Sequence, residues 1–232
     1  MKKLNGLSGF KAAIPIMIGY VPVAMTFGIL ARNNGLTYLE TVSFSLILYA
    51  GASQFIGLSM IAAGAGFGEI VLATFLLNFR HFFMSASLIS KLHDMSKYKG
   101  IILGFGITDE VFSVASFAGG QLSERYLFSL ELFSYLSWIT GTAVGFSMGS
   151  FLPKTLQIAM GIGLFALFAS ILVPEFKKSS RALVLSALAG GVNSVMNLLI
   201  KLPQGWSLVL TIVLVSLFGV VIYTKEEEVV YE

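Results

Sequence analysis

Long apolar runs broken by short polar connectors set the pattern of this chain. Apolar residues are contiguous over about 10–30, 42–64, 69–90, 100–119, 129–151, 155–173, 182–200 and 206–223, and charge collects in the connectors between them and at both ends. A helix needs roughly 20 apolar residues to cross the hydrocarbon core. A transmembrane barrel would instead alternate apolar and polar positions, and no other backbone form satisfies its hydrogen bonds in lipid. The pattern therefore predicts an all-α polytopic membrane protein of seven or eight transmembrane segments. It reads as a single transmembrane domain over 1–232, surrounded by membrane lipid. Pro15, Gly19 and Pro22 interrupt the first segment, which predicts a broken first helix, a recurring transporter device.

Composition sharpens this picture. The chain is 56% hydrophobic and only 12% charged, against about 25% charged for a soluble domain. Cysteine is absent, which removes disulfides, thiol nucleophiles and cysteine metal sites. The net charge of +3 belongs to Lys and Arg at membrane edges, so no nucleic-acid surface is expected, and neither is a cofactor or metal. Lys2 and Lys3 precede an apolar stretch as in a signal peptide, but without a cleavage site the segment reads as a retained first span. Tyr38, Tyr98, Tyr126, Trp206 and Tyr223 mark segment ends, as an interfacial belt would. Gly64, Gly66 and Gly68 lack the context of a phosphate loop and read as a tight turn.

Candidate chemistry sits where polar groups invade the apolar runs. Asn78, Arg80 and His81 lie near the centre of the third segment, and an arginine there costs about 2.5–3.5 kcal/mol on insertion scales. Its expected partner is Asp109 or Glu110, read as the only acids placed deep in a span. A pair that merely fixes helix packing is the plainer alternative. The second carboxylate and His81 exceed what pairing requires, and such groups can carry protons. The "YAGASQF" run brings Tyr49, Ser53 and Gln54 to mid-segment, either as packing glue or as substrate contacts. Tyr20 and Pro22 add candidates in the first segment, because Pro22 frees the carbonyl one turn earlier for a ligand. Gly141, Gly145 and Gly149 form a small-residue stripe for a neighbouring helix, internal or from a partner subunit. Asn193 and Asn197 share one helix face and either line a pathway or join helices.

The stretches "GFKAAIPIMIGYVPVAMTFGILA", "YAGASQF", "LLNFRHFFMSASL" and "GITDEVF" come in the order and spacing of the AzlC-type branched-chain amino acid permeases, which the chain resembles over roughly residues 6–200. The resemblance implies a bacterial inner-membrane exporter of leucine, isoleucine and valine, working with a small AzlD-type membrane subunit. Its motifs fall on Pro22, Gln54, Asn78, Arg80, His81, Asp109 and Glu110.

A proton-coupled secondary transporter for branched-chain amino acids, with methionine at the edge of its range, accounts for these features together. An intramembrane acid–base enzyme would use the same charged residues but lacks a nucleophile motif, so no catalytic residue is assigned. A scaffold subunit would need the ion pair alone.

Overall fold

The computed structural model describes residues 4–89, 91–92, 97–118, 122–149, 179–200 and 204–228, with the isolated positions 151, 153, 155, 169, 173, 176 and 177. Among these residues there are helices and turns and no strand. The helices are α1 (Gly6–Asn33), α2 (Tyr38–Ile47), α3 (Gly51–Ala62), α4 (Phe67–Ile89), α5 (Lys97–Gly106), α6 (Asp109–Ser116), α7 (Glu124–Met148), α8 (Ser180–Val195) and α9 (Gln204–Glu228), with a π turn at Met196–Ile200 after α8. Among the described residues, three stretches, Gly6–Asn33, Phe67–Ile89 and Ser180–Leu199, are long and apolar enough to cross a membrane. The segment expected at 155–173 lies almost wholly outside the described residues.

The chain divides into two units: 1–58 with 78–166, and 59–77 with 167–232. In the first, α1 and α7 run parallel. Asn5 starts α1 with a reciprocal cap, its side chain accepting from Ser8 N–H while Ser8 Oγ accepts from Asn5 N–H, which satisfies donors that a helix start leaves orphaned. The two helices then approach to backbone contact. A Cβ on Gly9 would lie 2.3 Å from the Tyr126 carbonyl, one on Gly28 2.2 Å from that of Thr142, and one on Gly145 2.1 Å from that of Met25. Gly141 meets Val21 and Ala24 in the same way. Small residues from both helices thus supply the close packing that lipid cannot drive hydrophobically. The glycine stripe of α7 is occupied by α1 and is not a surface for a partner subunit.

The same packing explains why α1 is not broken. It runs as one helix through Pro15 and Pro22. Each proline removes a single ladder bond, Thr26 Oγ1 donates to the Pro22 carbonyl at 2.9 Å, and the glycine contacts clamp α1 against α7 at both ends.

The breaks fall elsewhere. The expected span 42–64 is two helices, α2 and α3, separated by Leu48, Tyr49 and Ala50, where Ala50 N–H donates to the Leu48 carbonyl at 2.9 Å in a three-residue turn. The expected span 100–119 is likewise α5 and α6, separated by Ile107 and Thr108. Thr108 caps α6 by accepting from Val111 N–H. Neither break contains a proline. Each is fixed by a side chain of α7 pressed against a glycine: Trp138 on Gly51 and Glu131 on Gly106, where an added Cβ would fall 2.8 Å and 2.6 Å from side-chain atoms.

In the second unit, α8 and α9 are joined by Ser207 Oγ donating to Asn193 Oδ1 at 2.7 Å, while Asn197 Nδ2 donates back to the Asn193 carbonyl. Asn193 therefore joins helices. Trp206 Nε1 donates to Glu69 Oε1 at 2.8 Å. The glycine turn before α4 is present, with Gly64 at φ +72°, a region that favours glycine.

Gly145→Ala is expected to force α1 from α7 and destabilise the chain by about 1–3 kcal/mol or more. Gly190→Ala, at a helical position with open space around it, should be neutral or stabilise by about 0.5–1 kcal/mol. Thermal unfolding of both variants in detergent checks this, and equal midpoints would contradict the packing account.

Candidate functional site

Tyr20 is 3% exposed and sits where both breaks meet the parallel helix pair. Its hydroxyl donates to Glu110 Oε2 at 2.6 Å and accepts from Thr108 Oγ1 at 2.7 Å. Its ring packs edge-on against Tyr49 of the first break, with centroids 6.4 Å apart, and against Trp138 of α7 at 5.0 Å. One side chain of α1 thus touches the α2–α3 break, the α5–α6 break and α7. Such aromatic contacts add about 0.5–1.5 kcal/mol each beyond burial.

A second polar chain runs behind Tyr20. Trp138 Nε1 donates to Gln54 Oε1 at 2.7 Å, Gln54 Nε2 donates to Ser45 Oγ at 3.0 Å, and the Ser45 and Thr142 hydroxyls are hydrogen-bonded at 2.8 Å. Gln54, Ser45 and Thr142 are fully buried. Because every member has a partner, the network fixes how α2, α3 and α7 fit together without leaving a desolvated group.

On α4, Arg80 Nη2 lies 2.7 Å from Asp109 Oδ2. The structure pairs the arginine with Asp109 and leaves Glu110 to Tyr20. Both acids occupy the first turn of α6, where the helix dipole favours negative charge. The pair is not sealed within the chain, since the Arg80 side chain is 49% exposed. Asn78 Oδ1 accepts from Ser53 Oγ at 2.9 Å. The Nδ1 atom of His81 is 3.1 Å from the Asn78 carbonyl. Among the described residues, no three His, Asp or Glu side chains converge as a metal site.

Of the residues singled out in the sequence, Tyr20, Tyr49, Asp109 and Glu110 meet at the breaks, Gln54 joins Trp138 behind them, and Ser53, Asn78, Arg80 and His81 line the adjoining faces of α3 and α4. Pro22 does not join them. It is exposed on α1, and so is Ile18, whose carbonyl the proline deprives of its donor.

Four participants went unnoticed: Thr108, Trp138, Ser45 and Glu131. Glu131 is 4% exposed, and its Oε1 is buried without a hydrogen-bond partner. It corrects the reading that Asp109 and Glu110 are the only deep acids. A predicted boundary at 129 put Glu131 at the rim, whereas α7 starts at Glu124, about one and a half turns earlier. The seven-residue step from Glu131 to Trp138, which returns to the same helix face, was the available signal.

Comparison with known proteins finds relatives over most of the chain. Residues 15–152 match the family described as AzlC protein. The chain is 36% identical to the inner membrane protein YgaZ of Escherichia coli strain K12, over 82% of this chain and 80% of that protein. It is 37% identical to an uncharacterized membrane protein of Archaeoglobus fulgidus, over 79% of this chain and 80% of the relative. A branched-chain amino acid transport protein AzlC of Bacillus subtilis strain 168 is 26% identical, over 83% and 76%. No solved structure matches the chain significantly.

Asp109→Asn should leave Arg80 without its counter-ion, and Arg80→Gln should leave Asp109 likewise. Together they should cost less than their sum, with a coupling energy of about 0.5–3 kcal/mol. A double-mutant cycle on unfolding in detergent measures it, and additive effects would show that the pair contributes nothing.

Proposed function

Because the chain belongs to the AzlC protein family, we propose that it is a transporter of branched-chain amino acids. The observation that carries the proposal is the pair of discontinuous helices, α2–α3 and α5–α6, whose ends meet on Tyr20. Interrupted helices at mid-membrane expose backbone groups and helix termini that bind a zwitterion's charges. The start of α3, with no acidic side chain in its first turn, offers N–H groups to a carboxylate. The Glu110 carboxylate, beside Tyr20, is the counter-charge for a substrate ammonium. Tyr20, Tyr49, Ser53 and Asn78 supply the apolar and polar walls.

The working site is the bacterial inner membrane, the direction is export, and a small AzlD-type membrane subunit completes the transporter. The substrates are leucine, isoleucine and valine, with methionine weaker. One methylene in an apolar pocket discriminates by only about 1–3 kcal/mol, so these should compete with one another within a modest range. Transport is coupled to protons through a titratable group outside the Arg80–Asp109 pair.

Proteoliposomes holding the purified chain, or the complex it purifies with, should take up radiolabelled valine. Leucine and isoleucine should compete, and glutamate and lysine should not. Glu110→Gln should lose most of the flux. Absence of saturable flux, or equal competition by lysine, would overturn the reading.

A further inference from the structure

We propose that Glu131 is the proton-binding residue of the transport cycle, an assignment that rests on the transport reading above and deepens it. The carboxyl of Glu131 lies on α7 against the backbone of Gly106, at the end of α5 where the second break begins. It is 4% exposed, Oε1 has no hydrogen-bond partner, and no described Lys or Arg forms an ion pair with it. Lys99, the cation of α5, is engaged with Glu124 at 2.6 Å. An ionised carboxylate in such a place is strongly disfavoured for want of a counter-charge, whereas the neutral acid is not.

The surrounding groups separate this acid from the other two. Titratable side chains of the cluster are Tyr20 from α1, Tyr49 from the first break, Arg80 and His81 from α4, Asp109 and Glu110 from α6, and Tyr135 from α7 itself, whose ring packs edge-on against Tyr49. Asp109 has Arg80 and Glu110 has Tyr20, so both are supplied with a donor to their charged form. Glu131 has none. The hydroxyl of Tyr49, the aromatic side chain of the first break, is also buried without a partner. Two acids with donors and one without is an arrangement in which the unsupported one holds the proton.

The consequence is mechanical. Glu131 fits against Gly106 as a neutral acid, with the second break closed around it. Loss of its proton leaves a charge that this contact cannot hold, and the carboxylate must reach water or a cation. Movement of α7 against the α5–α6 break would then be linked to proton release, and binding of a proton to its return.

The test uses the full chain, or the complex it purifies with, in proteoliposomes and in detergent. Glu131→Gln mimics the neutral acid, so it should keep valine–valine exchange at equal pH while losing the response of net valine flux to an imposed pH gradient. Retention of the gradient response, or loss of exchange along with it, would overturn the assignment, and the latter would make Glu131 a substrate-ammonium contact instead. Infrared difference spectra give a readout without transport. Wild type at neutral pH should show a carboxylic-acid C=O stretch that Glu131→Gln lacks and that Glu131→Asp shifts; identical spectra would overturn the proposal. Should wild type move no valine in either mode, the transport reading fails by itself, and the infrared band still decides whether Glu131 holds a proton.

Discussion

A single phenol holds the two interruptions of this fold in register. The Tyr20 hydroxyl has one proton to give and gives it to Glu110, and it accepts from the residue that caps α6. Its ring meanwhile covers Tyr49 in the other break. Remove that side chain and the two half-helix pairs have no common partner on α1. The parallel α1–α7 pair exists at this spacing because glycines on both helices let the backbones touch. Small residues set the distance, and Tyr20 and Trp138 use it to reach both breaks.

The division of polar labour follows from that geometry. Buried polar side chains are tolerable when each finds a partner, and in the Trp138–Gln54–Ser45–Thr142 chain each one does. That chain is scaffolding. The Arg80–Asp109 pair is different, because its arginine is half exposed on the flank of α4, where a compact pair can be rearranged without unfolding a core. Two groups with spare capacity, Tyr49 and Glu131, lie at the breaks. Structure and chemistry therefore point to one region of the first unit.

Much of this was legible in the chain. Contiguous apolar runs give the helical membrane class without further argument, because lipid admits few alternatives. The cost of Arg80 in an apolar run pointed to an acidic partner, and Asp109 fills that role. The position of the breaks was not legible. Prolines mark sites where a helix can bend, yet α1 absorbs two of them because α7 clamps it. The actual breaks at 48–50 and 107–108 carry no proline. They depend on Trp138 and Glu131, far away in sequence, pressing on Gly51 and Gly106. A local pattern cannot report a tertiary contact of that kind. Glu131 was hidden for a simpler reason, a helix start misplaced by five residues between 124 and 129.

The central claim is that Tyr20 couples the two breaks. Amide hydrogen exchange on wild type and Tyr20→Phe reads it directly, since exchange reports local opening segment by segment. Loss of one hydroxyl should raise exchange at 109–112, where it holds the Thr108 cap and Glu110, and also at 49–54, where the ring loses its anchored position. Protection at 180–195, in the other unit, should be unchanged. Faster exchange at both breaks with that reference segment constant is the predicted result; a change at one break alone, or at neither, would contradict the account.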